Sequence, residues 1–149
     1  DRLVFAGSAD LNQHMARLQL ADIFLDTLPY NAHATASDAL WAGVPVVTCK
    51  GEMFAGRVGA SLLLAAELPE LVTTSLAEYG AVALTLAQNP AALAALREKL
   101  ARNKKKAPLF DTDRSRRNLE AAYRRMMELA GRGEPPASFS VTEADQLAF

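Results

Sequence analysis

Pro29-Tyr30-Asn31-Ala32-His33-Ala34-Thr35-Ala36-Ser37-Asp38-Ala39-Leu40-Trp41-Ala42-Gly43-Val44-Pro45 is the stretch on which the reading of the chain turns. Ahead of it, Ala21-Asp22-Ile23-Phe24-Leu25-Asp26 reads as a buried strand ending in a carboxylate. Behind it, Val44-Pro45-Val46-Val47-Thr48 reads as a short β-branched strand. Between the two lies a polar turn, then a helix that begins near His33 to Thr35 and closes at Gly43, a residue type suited to ending helices. Strand, turn, helix and strand in this order describe an open α/β sheet. In such sheets the turn from a strand's carboxyl end into a helix collects anionic ligands, because the first N–H groups and the helix dipole point at them.

The side chains of the turn suit a phosphorylated ligand. Thr35 offers a hydroxyl beside free backbone N–H groups, and His33 is placed to donate to a phosphate oxygen. Asp38 follows Thr35 by one helical turn and shares its face, where a carboxylate can accept from a ribose. Thr35 and Asp38 also match the Ser/Thr-x-x-acid capping pattern, which needs no ligand. Spacing alone leaves both readings open.

Upstream, Leu3-Val4-Phe5-Ala6-Gly7 is an apolar run stopped by glycine and reads as a central strand. Asp10 then precedes Leu11, Met15, Leu18 and Leu20, an apolar stripe at helical spacing. His14 and Arg17 share one face of that helix, and solvated polar positions are the ordinary explanation for both. Downstream, Gly51-Glu52-Met53-Phe54-Ala55-Gly56-Arg57-Val58 leads into a helix through Leu64, and a Glu52–Arg57 ion pair is the preferred role for its two charges, ahead of Glu52 capping the helix. Leu71-Val72-Thr73 reads as a last strand, with Thr74 or Ser75 capping the next helix. Helices follow over 76–88 and 90–102, divided at Asn89-Pro90. Arg102-Asn103-Lys104-Lys105-Lys106 fits a solvated helix end, and Trp41 fits core packing. A final amphipathic helix spans about 112–129, carrying Leu119, Ala122, Tyr123, Met126 and Met127 on its apolar side. The domain is expected over 1–130. Residues 131–149, with Gly-Arg-Gly and Pro135-Pro136, are expected to form a flexible tail.

Composition narrows the classes. With half its residues hydrophobic and 22% charged, the 149-residue chain is ordinary for one soluble domain. A net charge of −1 argues against nonspecific nucleic-acid binding. No apolar run reaches the length of a membrane span. One cysteine, Cys49, excludes an internal disulfide and fits a reducing cytoplasm; its place after Val46-Val47-Thr48 makes it a buried bystander. No clustered ligand set calls for a metal. Opening at Asp1-Arg2-Leu3 without a methionine, the sequence reads as a piece of a longer protein.

Leu25-Asp26-Thr27, followed by Tyr30-Asn31-Ala32-His33-x-Thr35-x-x-Asp38-x-Leu40-Trp41-x-Gly43-x-Pro45, resembles the nucleotide-binding signature of the O-linked N-acetylglucosamine transferases, glycosyltransferase family 41. Gly51-Glu52-x-Phe54-Ala55-x-Arg57-Val58, in which facing the sugar is a further role open to Glu52 behind the ion pair, and Pro108-Leu109-Phe110-Asp111-Thr112 continue the likeness in order, so that it runs from about Leu3 to about Met127. The resemblance implies the carboxyl-terminal half of a GT-B enzyme, built from two facing Rossmann-like domains, whose last helix commonly crosses back to the first domain. The apolar side of the final helix would then miss a partner here. The resemblance further implies that UDP-N-acetylglucosamine is the donor and a protein Ser or Thr hydroxyl the acceptor, with inversion and no metal or other cofactor.

Carried over by position, Ala9, Asp10 and Leu11 would meet the uracil through their backbone, and His14 and Arg17 would line the uridine and diphosphate pocket. His33, Ala34 and Thr35 would hold the diphosphate, and Asp38 the ribose. Leu11 stands where human-type members have lysine, and Ala34 where many members have threonine; each departure removes a side-chain contact and keeps the backbone. The main phosphate-binding lysine and the acceptor-side base would lie upstream of Asp1, as would the helical (TPR) repeats of the family. The piece alone would be inactive. A related branch that transfers fucose from a GDP-sugar lacks the His-x-Thr-x-x-Asp pattern and is less similar. Two other classes stay open: a relative using glucose or fucose, and a non-catalytic interaction module of the same fold.

Overall fold

The computed structural model describes residues 2–142 and Asp145. Six helices and three strands follow in the order α1 (Leu11–Leu18), β1 (Phe24–Leu25), α2 (Ala34–Ala42), β2 (Val46–Cys49), α3 (Val58–Ala65), β3 (Val72–Thr73), α4 (Leu76–Gln88), α5 (Pro90–Asn103) and α6 (Thr112–Gly131). The chain divides into two compact units, Asp1–Ala107 and Pro108–Phe149.

In the first unit β2 is the middle strand. Phe24 and Leu25 pair in parallel with Val46 and Val47 on one side, and Val72 and Thr73 pair in parallel with Thr48 and Cys49 on the other. Every residue of β2 is buried, the signature of a parallel strand covered on both faces. Parallel neighbours require crossovers, and α2 and α3 supply them; α3 and α4 both pack against β2. Leu40, Leu63, Leu68, Leu71 and Leu100 fill the core around Val44, Val46 and Val47.

Local chemistry sets the helix limits. Gly43 ends α2 with φ 88°, a left-handed conformation that a β-carbon disfavours. The Ser75 hydroxyl accepts from Glu78 N–H, while the Thr74 N–H and hydroxyl both donate to Glu78 Oε2 at 2.9 Å, a reciprocal box that starts α4. These donors, the Thr74 N–H foremost, hold the Glu78 carboxyl below its ordinary value. Asn89 caps α5 by accepting from Ala92 N–H, with Pro90 at the first helical position.

Four expectations need correction. Leu3-Val4-Phe5 forms no strand: Val4 and Phe5 are each 92% exposed, because the run has strand composition but no ladder partner among the described residues. The strand expected over 21–26 shrinks to Phe24–Leu25, flanked by bonds from Phe24 N–H to the Pro45 carbonyl just before β2 and from Asp26 N–H to the Val47 carbonyl within it. Trp41 is half exposed rather than core; Lys104 lies over its ring, with Nζ 4.4 Å from the centroid, and donates to its carbonyl. No ion pair joins Glu52 to Arg57 among the described residues, and no side chain caps α3.

In the second unit, Asp111 caps α6 by accepting from Arg114 N–H at 2.8 Å. Arg116 bridges Asp113 and Glu120 along the solvated face. Leu119, Tyr123, Met126 and Met127 are each more than half exposed. Of the expected tail, residues 143–144 and 146–149 lie outside those described. Residues 134–142 take no regular structure, and Pro135, Pro136 and Phe139 face Met126 and Leu129 across a cleft of about 320 Å³.

Candidate functional site

The loops that leave β1 and β2 emerge at the same edge of the parallel sheet and are tied together there. Asn31 N–H donates to the Ala55 carbonyl at 2.9 Å, and Gly51 N–H closes its own loop on the Gly56 carbonyl at 2.7 Å. The loop after β1 is organised by Asp26, which is 4% exposed. Its Oδ1 accepts from Thr27 N–H at 2.8 Å and Ala32 N–H at 2.6 Å; its Oδ2 accepts from the Thr48 hydroxyl at 2.6 Å. The Tyr79 hydroxyl donates to the Asp26 carbonyl at 2.9 Å. Burial, then the Asp26 carboxylate and Cys49, raises the Tyr79 phenol above its ordinary value. Gly59 of α3 packs directly on this cluster: a β-carbon there would lie 2.4 Å from Asp26 Oδ2 and 2.6 Å from Thr48 Oγ1.

The loop delivers the chain into α2 at His33, whose side chain makes no capping hydrogen bond. Its ring stacks on Tyr30 with centroids 5.0 Å apart and meets the edge of Phe54 at 6.2 Å. Aromatic contacts therefore orient the imidazole, and its Nε2 is buried without a hydrogen-bond partner. Thr35 lies inside the first turn and not at the cap, so the Thr35-x-x-Asp38 capping arrangement is not formed. Neither the Thr35 hydroxyl nor the Asp38 carboxylate has a hydrogen-bond partner among the described residues. Ala34 and Thr35 are exposed and Asp38 is half-buried.

The second group of candidates sits on α1, which packs against α2. The Asp10 carboxylate caps α1 by accepting from Gln13 N–H at 2.9 Å, and Leu11 beside it is exposed. Arg17 Nη1 donates to the Gly7 carbonyl at 2.9 Å, and its Nη2 lies 3.4 Å from His14 Nδ1. His33, Ala34, Thr35 and Asp38 are thus gathered on one helix end. Ala9, Asp10, Leu11, His14 and Arg17 are gathered on another, with no hydrogen bond or ion pair between the two groups among the described residues. Thr48, Gly59 and Tyr79 were not singled out by sequence, which marked Asp26 as a strand-ending carboxylate and as part of the Leu25-Asp26-Thr27 signature without giving it a role. Among the described residues no three His, Cys, Asp or Glu side chains converge as a metal site would require.

Three parallel strands, joined by helices that all start from one sheet edge, define a Rossmann-like unit of the kind found in GT-B glycosyltransferases. The family model of glycosyl transferase family 41 matches residues 1–119, and the chain belongs to that family. It is 42% identical over 146 residues to the probable UDP-N-acetylglucosamine–peptide N-acetylglucosaminyltransferase SEC of Arabidopsis thaliana, covering 97% of this chain and 15% of that protein. To the UDP-N-acetylglucosamine–peptide N-acetylglucosaminyltransferase of Caenorhabditis elegans it is 37% identical over 134 residues, covering 90% of this chain and 12% of that one. A solved mutant of the Thermobaculum terrenum O-GlcNAc transferase superposes with a TM-score of 0.73 at 42% identity, over 79% of this chain and 23% of the other. The chain therefore spans about a seventh of the length of these curated relatives.

Proposed function

We propose that the chain is the donor-binding, carboxyl-terminal half of a protein O-linked N-acetylglucosamine transferase. The whole enzyme would transfer N-acetylglucosamine from UDP-N-acetylglucosamine, with inversion, to Ser or Thr hydroxyls of acceptor proteins. The observation that carries this reading is the start of α2. It lies at the carboxyl edge of the sheet, the His33 side chain does not cap it, Ala34 and Thr35 are exposed there, and the unpartnered Asp38 carboxylate stands one turn on. A helix end of this kind presents roughly half a positive charge. In this reading the diphosphate lies on His33, Ala34 and Thr35, and Asp38 accepts from the ribose. Ala9, Asp10 and Leu11 meet the base through their backbone, and His14 and Arg17 close the pocket from α1.

An inverting transfer needs a base for the acceptor proton and positive potential for the departing diphosphate. Arg17, His33 and the α2 N-terminus supply part of the second. The base and a phosphate-binding lysine belong to the amino-terminal half, which in this family follows TPR repeats, so the piece alone binds UDP and transfers nothing. Residues 1–130 form the donor domain and 131–149 its tail. A cytoplasmic setting suits the lone buried thiol of Cys49, and no helix among the described residues is long and apolar enough to cross a membrane.

Calorimetric titration with UDP and GDP, repeated on Asp38→Ala, tests the assignment. UDP is expected to bind more tightly than GDP, and Asp38→Ala to weaken UDP at least tenfold. Equal affinity for both nucleotides, or no effect of Asp38→Ala, would overturn it.

A further inference from the structure

Helices are commonly fixed at their start by a side-chain cap, and α2 has none: His33 makes no capping bond, its imidazole being held between Tyr30 and Phe54. The chain entering α2 is anchored instead just ahead of the helix. Asp26 reaches six residues ahead, and its Oδ1 accepts from the N–H of Ala32, the residue immediately before His33, at 2.6 Å. The same oxygen accepts from Thr27 N–H at 2.8 Å, so one atom holds both ends of the loop. The carboxylate cannot drift, because its Oδ2 is bound by the Thr48 hydroxyl on the central strand and α3 closes over it at Gly59. Tyr79 fixes the backbone carbonyl of Asp26 from α4. Of the groups gathered at this edge of the sheet, Asp26 Oδ1 is the one bonded to Ala32, and Asp26, almost wholly buried, is not itself exposed to a ligand.

We propose that Asp26 is a positioning residue for the diphosphate: through Ala32 it sets the direction of the His33, Ala34 and Thr35 N–H groups and touches no ligand. The inference rests on the donor-binding reading of α2. It assigns the buried carboxylate to the phosphate end of the ligand and not to the nucleoside end, because the tether acts at Ala32, next to His33 and ahead of the turn that carries Asp38. Charge-assisted hydrogen bonds are about twice as strong as neutral ones, so replacing the carboxylate by an amide of the same shape loosens the tether without emptying the site.

The experiment compares UDP with uridine on the 149-residue chain, using Asp26→Asn, Asp26→Ala and Thr48→Val, with urea midpoints measured alongside. The ratio of the two affinities isolates what the diphosphate adds, and a loss of folded protein lowers both affinities equally and leaves the ratio alone. Asp26→Asn is expected to lower the ratio about threefold, and Asp26→Ala, if it folds, at least tenfold. Thr48→Val leaves both Oδ1 bonds in place and is expected to lower the urea midpoint while preserving the ratio. An unchanged ratio in Asp26→Asn overturns the inference. An equal fall of the ratio in Thr48→Val also overturns it, since the effect would then come from a loosened sheet. A wild-type chain that binds neither ligand overturns the donor-binding reading itself, and this inference with it.

Discussion

Gly59→Ala and Gly80→Ala are the same substitution inside two helices, and the structure gives them opposite signs. At Gly80, on exposed α4, an added β-carbon meets nothing within 4 Å. The variant is therefore expected to stabilise by about 0.5–1 kcal/mol, the usual gain from reduced backbone freedom. At Gly59 the β-carbon would fall 2.4 Å from Asp26 Oδ2, 2.6 Å from Thr48 Oγ1 and 3.1 Å from Thr48 Cβ. None of these atoms is a loose chain end: Asp26 is held by three hydrogen bonds and Thr48 is a β-branched residue of the central strand. Either α3 lifts from β2, which costs about 1–3 kcal/mol as overpacking, or the buried Thr48–Asp26 bond also opens, at about 1.5–3 kcal/mol more. Less the helix-propensity gain of about 1 kcal/mol, a destabilisation reaching about 5 kcal/mol with both costs is expected, a large share of a total near 5–15 kcal/mol. Urea denaturation of both variants, and of Gly59→Ala in a Thr48→Ala background, measures it. Removing the Thr48 hydroxyl and methyl should recover at least about 1 kcal/mol, since contacting residues are not additive. A neutral or stabilising Gly59→Ala, with the same effect in both backgrounds, would refute the packing described for α3.

Three further outcomes follow from the same coordinates. Tyr79 has its phenol pKa raised by burial and then by Asp26. Its contribution is therefore complete below the unfolded tyrosine value of about 10 and is lost as pH rises through the higher folded value; the wild-type urea midpoint should fall in that alkaline window more steeply than that of Tyr79→Phe. Glu78 is lowered by the Thr74 N–H and hydroxyl, so its contribution is present above the unfolded carboxylate value of about 4.3 and lost as pH falls through the folded one. Glu78→Gln should flatten the acid limb of the urea midpoint against pH, and Ser75→Ala should cost about 0.5–2 kcal/mol at neutral pH. Trp41 is the chain's single tryptophan and Lys104 covers its ring; Lys104→Ala should shift its fluorescence emission to longer wavelength and cost about 0.5–1 kcal/mol.

The parts of the fold that were legible in the sequence are those fixed by local chemistry. Gly43 ends α2, Asn89-Pro90 divides α4 from α5, and Ser75 starts α4, each through atoms within four residues of itself. The Val46-Val47-Thr48 run reads as a buried strand because both faces of a parallel strand are covered. Leu3-Val4-Phe5 is also a strand-like run but has no ladder partner among the described residues, and composition cannot report a partner. The candidate site divides in the same way. The turn at His33 to Thr35 and the position of Asp38 one turn later follow from spacing. Asp26 with Thr48, 22 residues apart, and Gly59 closing over them are products of tertiary packing. A sequence shows the carboxylate and the hydroxyl; only the sheet brings them within 2.6 Å. Glu52 and Arg57 are the converse case, opposite charges close in sequence that form no ion pair with each other among the described residues.

The central claim, that α1 and α2 together hold a uridine diphosphate, is tested most directly by following the backbone amides of the isotopically labelled chain during titration with UDP. The account expects the largest shifts at Ala9 to Leu11, at His14 and Arg17, and at His33 to Asp38, saturating together with a single affinity. Shifts confined to other surfaces, such as the cleft between Met126 and Phe139, with the start of α2 unmoved, would contradict it.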